Sequence, residues 1–268
     1  MQSIPLGPIA LPLAPVLVLA GWWLASAVAE RLAAPLRAEA GRWVFRAVLA
    51  GLLVSRAVFV VQGWAGYAAA PLSMLDIRDG GWAPWPGAAA ALAVLAFGAW
   101  RHAALRRGLA VGAVAGLALW GGASALLGAN DRAALPALTL ADLQGQPMAL
   151  RAAGETRPMV INLWATWCAP CRAEMPILAA AAQREPGVRF VFVNHGETPA
   201  AVRAFLSQQP YRLEGLVMDP ALTLGAAVQT AGLPTTLFVD GQGTIVARHM
   251  GPLTAAALAA RVTALKNP

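Results

Sequence analysis

Four long apolar stretches fill the first half of the chain, and they constrain its fold more than any other feature. They lie at approximately residues 9–29, 43–63, 86–100 and 109–128. About 20 helical residues cross a hydrocarbon core of roughly 30 Å, so stretches of this length predict transmembrane helices. Hydrophobic residues make up 58% of the chain and charged residues 12%, which is too apolar for an ordinary soluble protein. We therefore predict a four-span α-helical transmembrane domain over residues 1–130.

The positions of the arginines predict the orientation of these spans. They cluster in the first and third connections, as Arg31, Arg37, Arg42 and Arg46 and then as Arg101, Arg106 and Arg107. Basic connections stay in the cytoplasm, so the N-terminus and everything after residue 128 are expected on the outer side. We predict a multi-pass protein of a bacterial inner membrane whose second domain is periplasmic. An oxidising compartment of this kind permits disulfide chemistry.

The positive charge of the chain comes mainly from the arginines of the first half. The net charge is +7, and residues 1–130 alone hold nine arginines against four acidic residues. Nucleic-acid binding typically uses a stripe of basic residues interleaved with aromatic side chains. These arginines form no such stripe and lie between the apolar spans. Membrane topology explains them, and we expect a lipid bilayer and no nucleic acid as a partner.

The only two cysteines of the protein, Cys168 and Cys171, stand two residues apart. A strand-like apolar run, Met159–Trp164, precedes them and a helical pattern rich in Ala and Leu follows. This places the pair on a strand-to-helix turn, where a helix N-terminus stabilises a thiolate. We predict Cys168 as the nucleophile in thiol-disulfide exchange and Cys171, one turn inside the helix, as the resolving thiol.

Two other interpretations of the cysteine pair are weaker. A static disulfide would close too short a loop to constrain the unfolded chain much. A zinc site would need further ligands, but the chain has no second cysteine pair, and His195 and His249 lack ligand spacing. We therefore expect no metal and no cofactor beyond a redox-active Cys168–Cys171 disulfide.

The second half, residues 131–268, is long enough for one core and reads as a mixed α/β fold. The patterns predict strands at 148–150, 159–164, 188–193, 235–239 and 244–249, and helices at 171–184, 199–207, 221–228 and 253–265. A hairpin turn is expected at Asp240-Gly241-Gln242-Gly243.

Two segments of this half resemble the thioredoxin fold. One is residues 164–176, Trp-Ala-Thr-Trp-Cys-Ala-Pro-Cys-Arg-Ala-Glu-Met-Pro, and the other is Gly-Leu-Pro-Thr at residues 232–235. Together they resemble the TlpA/ResA branch of membrane-tethered, extracytoplasmic thiol-disulfide oxidoreductases, over residues 135–265. The resemblance implies a thioredoxin-like domain with a dithiol active site. That branch includes reductases of cytochrome c maturation.

The resemblance also implies roles for residues around the cysteines. Glu174, three residues from Cys171 on the same helical side, would be a partly buried acid that exchanges protons with the thiols. The alternative is a solvated helix charge. Leu233 and Pro234 would form a cis peptide against the disulfide, with the backbone of Leu233 offered to the substrate chain.

Three residues of the motif itself are predicted to shape the site. Trp167 is expected to wall the active site. Ala169 and Pro170 separate the cysteines and influence the redox poise, and Pro170 suits the first turn of a helix because it lacks an N–H and has a helical φ. Pro176 is expected to kink the helix.

Arg56 and Asp79 are candidate functional residues of the membrane domain. Arg56 interrupts an apolar run, and an intramembrane arginine is either a functional site or lies near the helix end and extends to the interface. Residues around both positions resemble part of the prolipoprotein diacylglyceryl transferases. That family has an essential His after its acidic-Gly-Gly turn, whereas Asp79-Gly80-Gly81 is followed by Trp-Ala-Pro-Trp-Pro-Gly. The missing His argues against acyl transfer and for a domain that anchors, or binds a lipid or partner.

From these patterns we expect a membrane-anchored periplasmic thiol-disulfide oxidoreductase, most simply a reductase of disulfides in exported proteins, with apocytochrome c among the candidate substrates. Two cysteines cannot relay electrons across the membrane, so an external donor such as a membrane thiol transporter of the DsbD/CcdA kind is expected. One alternative is a thiol oxidase or isomerase with the same site. Others are a lipid-modifying diacylglyceryl transferase and a binding module or chaperone.

Overall fold

The computed structural model of the protein describes residues 3–6, 9–33, 36–68, 70–130, 132–230 and 232–267. Residues up to Asn130 are mainly helical, and a mixed sheet begins at Ala133. The predicted start of the second domain, Asp131, lies outside the described residues.

The helical half begins with a short antiparallel hairpin, which is followed by long helices. Its elements are β1 (Ser3–Leu6), β2 (Ile9–Pro12), α1 (Leu13–Leu32), α2 (Arg37–Gln62), α3 (Trp64–Ala68), α4 (Pro84–Arg101) and α5 (Arg106–Asn130). The predicted first span therefore starts too early, because Ile9–Pro12 pairs with β1 as a strand. Proline disfavours a helix interior, which is consistent with a helix that begins only after Pro12.

Three helices of the described chain are long and apolar enough to cross a membrane. The qualifying segments are Pro15–Leu32, Arg37–Gln62 and Ala103–Leu126. The helix α4 has 18 residues and is not among them, since two prolines and a terminal arginine lower its apolar character. Four crossings therefore stay a prediction.

Small residues allow these helices to approach closely. A β-carbon on Gly116 of α5 would lie 2.8 Å from the carbonyl oxygen of Gly21 on α1. A β-carbon on Gly87 of α4 would lie 2.7 Å from the carbonyl oxygen of Gly51 on α2. Close backbone contact at small residues is the way helices associate where no water drives them together.

The second half is a mixed sheet covered by helices. Its strands are β3 (Ala133–Ala134), β4 (Thr139–Ala141), β5 (Pro147–Ala149), β6 (Met159–Trp164), β7 (Arg189–His195), β8 (Leu216–Asp219), β9 (Thr235–Val239) and β10 (Thr244–Met250). Its helices are α6 (Ala169–Arg184), α7 (Pro199–Leu206), α8 (Thr223–Ala227) and α9 (Ala255–Lys266). Within the described residues the strand order is β3-β10-β9-β6-β7-β8-β4-β5. The sheet is parallel from β6 through β7 to β8 and antiparallel elsewhere.

The central strand β6 explains the two-sided core. Val160 and Trp164 join the cluster that contains α6 and α9, whereas Ile161 and Leu163 join the cluster on the other face. Successive strand residues point to opposite faces, so a strand covered on both sides reads as an unbroken apolar run. Asn162 is the polar exception, and it faces the α6 side, where the cysteines lie.

Candidate active site

The two cysteines form a disulfide at the start of α6. Their Cα atoms are 5.3 Å apart, and Cys168 is the N-cap residue of the helix. The backbone N–H of Cys171 donates to Cys168 Sγ at 3.2 Å. The first N–H groups of a helix have no partner within it, so they favour a negative sulfur at this position. The predicted strand-to-helix turn is confirmed.

Both cysteines are buried, and Cys168 is slightly more exposed than Cys171. Cys168 is 5% exposed and Cys171 is 0% exposed. Of the two cysteines, only Cys168 has any exposed surface. Ala169 and Pro170, which separate the cysteines, are exposed in the first turn of α6, and this helix continues through Pro176.

The two tryptophans before the cysteines have different environments. Trp167 is 68% exposed beside the disulfide, as a residue that contacts a partner would be. Trp164 is fully buried and packs against Phe205, with ring centroids 5.8 Å apart. Of the pair, only Trp167 presents a surface at the site.

Glu174 is buried, so the interpretation as a solvated helix charge is wrong. It lies one turn along α6 from Cys171 and is 1% exposed. Its Oε1 accepts from Asn162 Nδ2 at 2.8 Å, and its Oε2 accepts from the backbone N–H of Leu253 at 2.8 Å. Burial raises the pKa of Glu174 to about 7, although both hydrogen bonds act to lower it. An acid with this pKa gives up or takes a proton near neutral pH.

The predicted cis peptide between Leu233 and Pro234 is confirmed. Pro234 is buried, and the half-buried Leu233 packs against both faces of the core. The bond lies at the start of β9, which pairs with β6.

Glu197 is a site residue that was not predicted from the sequence. Its carboxylate accepts from the Thr166 backbone N–H at 2.7 Å, from Thr166 Oγ1 at 2.5 Å and from Asn194 Nδ2 at 2.7 Å. It therefore ties the loop before Cys168 to the end of β7. The signal was available, because β6 and β7 are parallel and residues that follow parallel strands meet at one sheet edge.

Arg56 of α2 and Asp79 of the following loop, the candidates from the helical half, form an ion pair. Arg56 Nη1 lies 2.9 Å from Asp79 Oδ1, and the guanidinium also donates to the carbonyl oxygens of Met74, Asp76 and Gly81. Arg56 therefore organises the 73–81 loop.

Asp79 is 0% exposed and fully engaged. Its two oxygens accept from Arg56, from Tyr67 Oη at 2.6 Å, from the Gly81 N–H at 2.9 Å and from Thr254 Oγ1 at 3.0 Å. These donors come from α2, α3, the 73–81 loop and the start of α9. The geometry gives it a structural role.

Within the described residues, no group of three or more His, Cys, Asp and Glu side chains is placed to hold a metal ion. The redox-active group is the cysteine pair itself.

Comparison with known proteins identifies the class. The Redoxin family profile matches residues 129–262, which is half of the chain. The chain belongs to the redoxin family, and the domain that carries the disulfide has the thioredoxin fold of thiol-disulfide oxidoreductases.

Individual relatives carry corresponding names. The thiol:disulfide interchange protein HelX of Rhodobacter capsulatus is 39% identical over 95 residues, which is 35% of this chain and 53% of that protein. The thiol:disulfide interchange protein DsbE of Pseudomonas fluorescens biotype C is 32% identical over 118 residues, covering 43% and 64% respectively. The thiol-disulfide oxidoreductase ResA of Halalkalibacterium halodurans is 32% identical over 117 residues, covering 43% and 65%. The chain spans between about half and two thirds of the length of these relatives.

Proposed function

We propose that this protein is a membrane-anchored thiol-disulfide oxidoreductase that reduces disulfides in exported proteins. The observation that carries the proposal is the Cys168–Cys171 disulfide at the N-terminus of α6, with Cys168, the slightly more exposed residue, at the helix N-cap. The family and the names of the relatives support the same chemistry.

The reaction uses the two thiols in sequence. The Cys168 thiolate attacks one sulfur of a substrate disulfide, and the other substrate sulfur leaves as a thiolate. The Cys171 thiolate then attacks Cys168 Sγ, which releases the second substrate thiol and closes the disulfide. Two electrons pass to the substrate, so a thiol donor must reduce the pair again before the next turnover.

Glu174 moves the proton that this sequence requires. Cys171 starts as a thiol and has to lose its proton before it attacks, and Cys171 is inaccessible to water. A buried acid with a pKa of about 7, one helical turn away, can take up that proton at neutral pH. Asn162 and the Leu253 N–H orient the carboxylate for this role.

The substrate chain is expected beside Trp167 and Leu233. Trp167 offers an exposed aromatic face next to Cys168, and the Leu233 backbone precedes a cis-proline at the strand that pairs with β6. This surface suits an unfolded or extended segment around a cysteine pair, as an exported protein such as apocytochrome c presents before maturation.

The helical half anchors the domain in a membrane. Large apolar side chains on its long helices are exposed, including Leu19, Trp23, Phe45, Leu53 and Val114. Exposed apolar surface of this extent marks contact with lipid or protein. The basic connections support a periplasmic redox domain on an inner membrane. A membrane thiol transporter of the DsbD/CcdA kind is the proposed electron donor.

The full chain, purified in lipid nanodiscs and reduced, tests this function. It should reduce a peptide disulfide with the loss of one dithiol per substrate bond, and Cys168→Ser should abolish that reaction. Full activity in Cys168→Ser would exclude the proposal.

The direction of electron flow needs a separate measurement. Titration of the Cys168–Cys171 couple against glutathione should give a reducing potential, below that of the glutathione pool. A strongly oxidising potential would identify a thiol oxidase with the same cysteines.

A further inference from the structure

The helical half and the redox domain meet at the N-terminus of α9. Thr254, the N-cap residue of α9, donates its hydroxyl to the buried carboxylate of Asp79. The same hydroxyl accepts from the Ala257 N–H at 3.2 Å, so it caps the helix and joins the two halves at once.

Two glycines beside this hydrogen bond give the contact its shape. A β-carbon on Gly66 of α3 would lie 2.7 Å from the backbone nitrogen of Ala256, and one on Gly63 would lie 2.9 Å from the Ala256 β-carbon. The first turn of α9 thus rests directly on the backbone of α3. We call Arg56, Asp79, Gly63 and Gly66 the α9 seat.

The residue before Thr254 reaches the redox site. The N–H of Leu253 donates to Glu174 Oε2 at 2.8 Å, and the hydroxyl of Thr254 donates to Asp79 Oδ2 at 3.0 Å. Two adjacent residues therefore connect the buried acid near the cysteines with the ion pair of the membrane half. Both residues are buried, so these bonds are shielded from water.

We propose that the α9 seat is a positioning element for the redox site: by fixing Thr254, the membrane half holds the Leu253 N–H on Glu174. The proposal rests on the function proposed above for Glu174. A membrane anchor needs only a covalent connection to the redox domain. The hydrogen bond from Thr254 to Asp79 and the packing of α9 on the backbone of α3 do more, because they fix the orientation of α9 relative to the helical half. Asp79 and Gly66 are thus positioning residues for a reaction that they do not touch.

Two substitutions at Thr254 separate the seat from the helix cap. Ser and Asp both cap helices well. Thr254→Ser keeps the hydroxyl donor for Asp79, whereas Thr254→Asp places a second carboxylate against Asp79 and removes the donor. In the full chain in nanodiscs, Thr254→Asp should speed hydrogen exchange of the Leu253 amide by about tenfold or more, the factor for one lost hydrogen bond. Thr254→Ser should leave the exchange rate unchanged.

A second pair of variants changes no polar group. Gly66→Ala puts a methyl group into the Ala256 backbone, whereas a β-carbon on Gly121 of α5 would meet nothing within 4 Å. Both replacements raise helix propensity equally. Only Gly66→Ala should speed Leu253 exchange, so this pair still tests the proposal if Thr254→Asp does not fold.

The ionisation of Glu174 gives a measurement that a merely structural contact would not move. Its carboxylate is faced by Asn162 from β6 and by the Leu253 N–H, and the cysteines lie on its own helix. No charged side chain is among the interactions that shift the pKa of Glu174. The Leu253 hydrogen bond lowers the pKa of Glu174, so its loss should raise that pKa. A pH titration of the infrared band of the protonated carboxyl should therefore have a higher midpoint in Thr254→Asp and Gly66→Ala. The midpoint should be unchanged in Thr254→Ser and Gly121→Ala.

The outcomes are decisive in both directions. Faster Leu253 exchange with a raised Glu174 midpoint in the two seat variants supports the proposal. Unchanged exchange, or faster exchange with an unchanged midpoint, overturns it. Neither measurement uses substrate turnover, so failure of the proposed reductase activity would be seen separately, as absent disulfide reduction by the unmodified protein.

Discussion

The two halves of the molecule each enclose a buried acid, and the two acids are held differently. Asp79 is 0% exposed and Glu174 is 1% exposed, so burial does not distinguish them. Asp79 receives a guanidinium, two hydroxyls and a backbone N–H. Glu174 receives one amide and one backbone N–H, both neutral. The cation beside Asp79 makes it part of an ion pair that fixes the 73–81 loop. Glu174 has no cation beside it, and burial raises the pKa of Glu174 to about 7, so it can exchange protons.

The largest effect should come from breaking the Arg56–Asp79 ion pair of the helical half. Asp79→Leu leaves the largely buried Arg56 guanidinium, whose side chain is 13% exposed, without its counter-charge. Removal of one partner of a buried pair destabilises proteins by about 3–5 kcal/mol. Denaturant unfolding of the full chain, followed by tryptophan fluorescence, should show a loss of this size.

The double variant Arg56→Met/Asp79→Leu sharpens this prediction. Replacing both charges with apolar side chains of similar volume removes the unpaired ion, so stability should recover by several kcal/mol. If the double variant is as unstable as Asp79→Leu alone, the charge pairing is not what holds the loop.

Glu174 should show a smaller effect that depends on pH. Its pKa rises from 4.5 to about 7 on folding, so between these pH values the native state keeps a proton that the unfolded state has lost. Stability therefore falls as pH increases through this window, by up to about 3 kcal/mol. Glu174→Gln removes the slope, which unfolding measurements at pH 5 and pH 8 would detect. An equal slope in the variant would assign the pH dependence to another group.

Glu197 should have a local effect. Glu197→Gln weakens the charge-assisted hydrogen bonds to Thr166 and Asn194, each of a kind worth about 1.5–3 kcal/mol. With one oxygen still able to accept, we expect the Thr166 loop to open more easily by about 1–2 kcal/mol. Hydrogen exchange of the Thr166 amide measures this, with the exposed Glu214→Gln as the matched control. Equal exchange rates in the two variants would contradict the role given to Glu197.

The smallest effect should come from an exposed ion pair in the same loop as Asp79. Arg78 pairs with Asp76 at 2.9 Å, but its side chain is 70% exposed. Exposed pairs contribute little, so Arg78→Gln should change stability by no more than about 0.5 kcal/mol. A loss close to that of Asp79→Leu would mean that burial does not separate the two pairs.

Sequence patterns predicted those elements whose signal is local. The apolar run of β6 and the strand β9 have the predicted bounds, and the cysteine turn follows from the run and the helical pattern after it. The strand β8 was not predicted, because a four-residue apolar segment carries too little periodicity to be recognised.

The part of the site that lies on a single helix could be predicted from the sequence. Cys168, Cys171 and Glu174 lie on one helix start, so spacing alone brings them together. Thr254 and Asp79 are 175 residues apart and come together only through tertiary packing. A Thr before an apolar helical pattern does signal an N-cap, but no pattern along one sequence shows that its hydroxyl would bond to a carboxylate of the membrane half.

The most direct test of the central claim is covalent trapping in membranes that contain the full chain. In Cys171→Ala the resolving thiol is absent, so a substrate attacked by Cys168 should remain attached as a mixed disulfide that reductant releases. The adduct should be absent in Cys168→Ser, in which Cys171 is the only thiol left in the chain. If Cys171→Ala accumulates no adduct, or if Cys168→Ser accumulates as much adduct as Cys171→Ala, this protein does not exchange disulfides through Cys168.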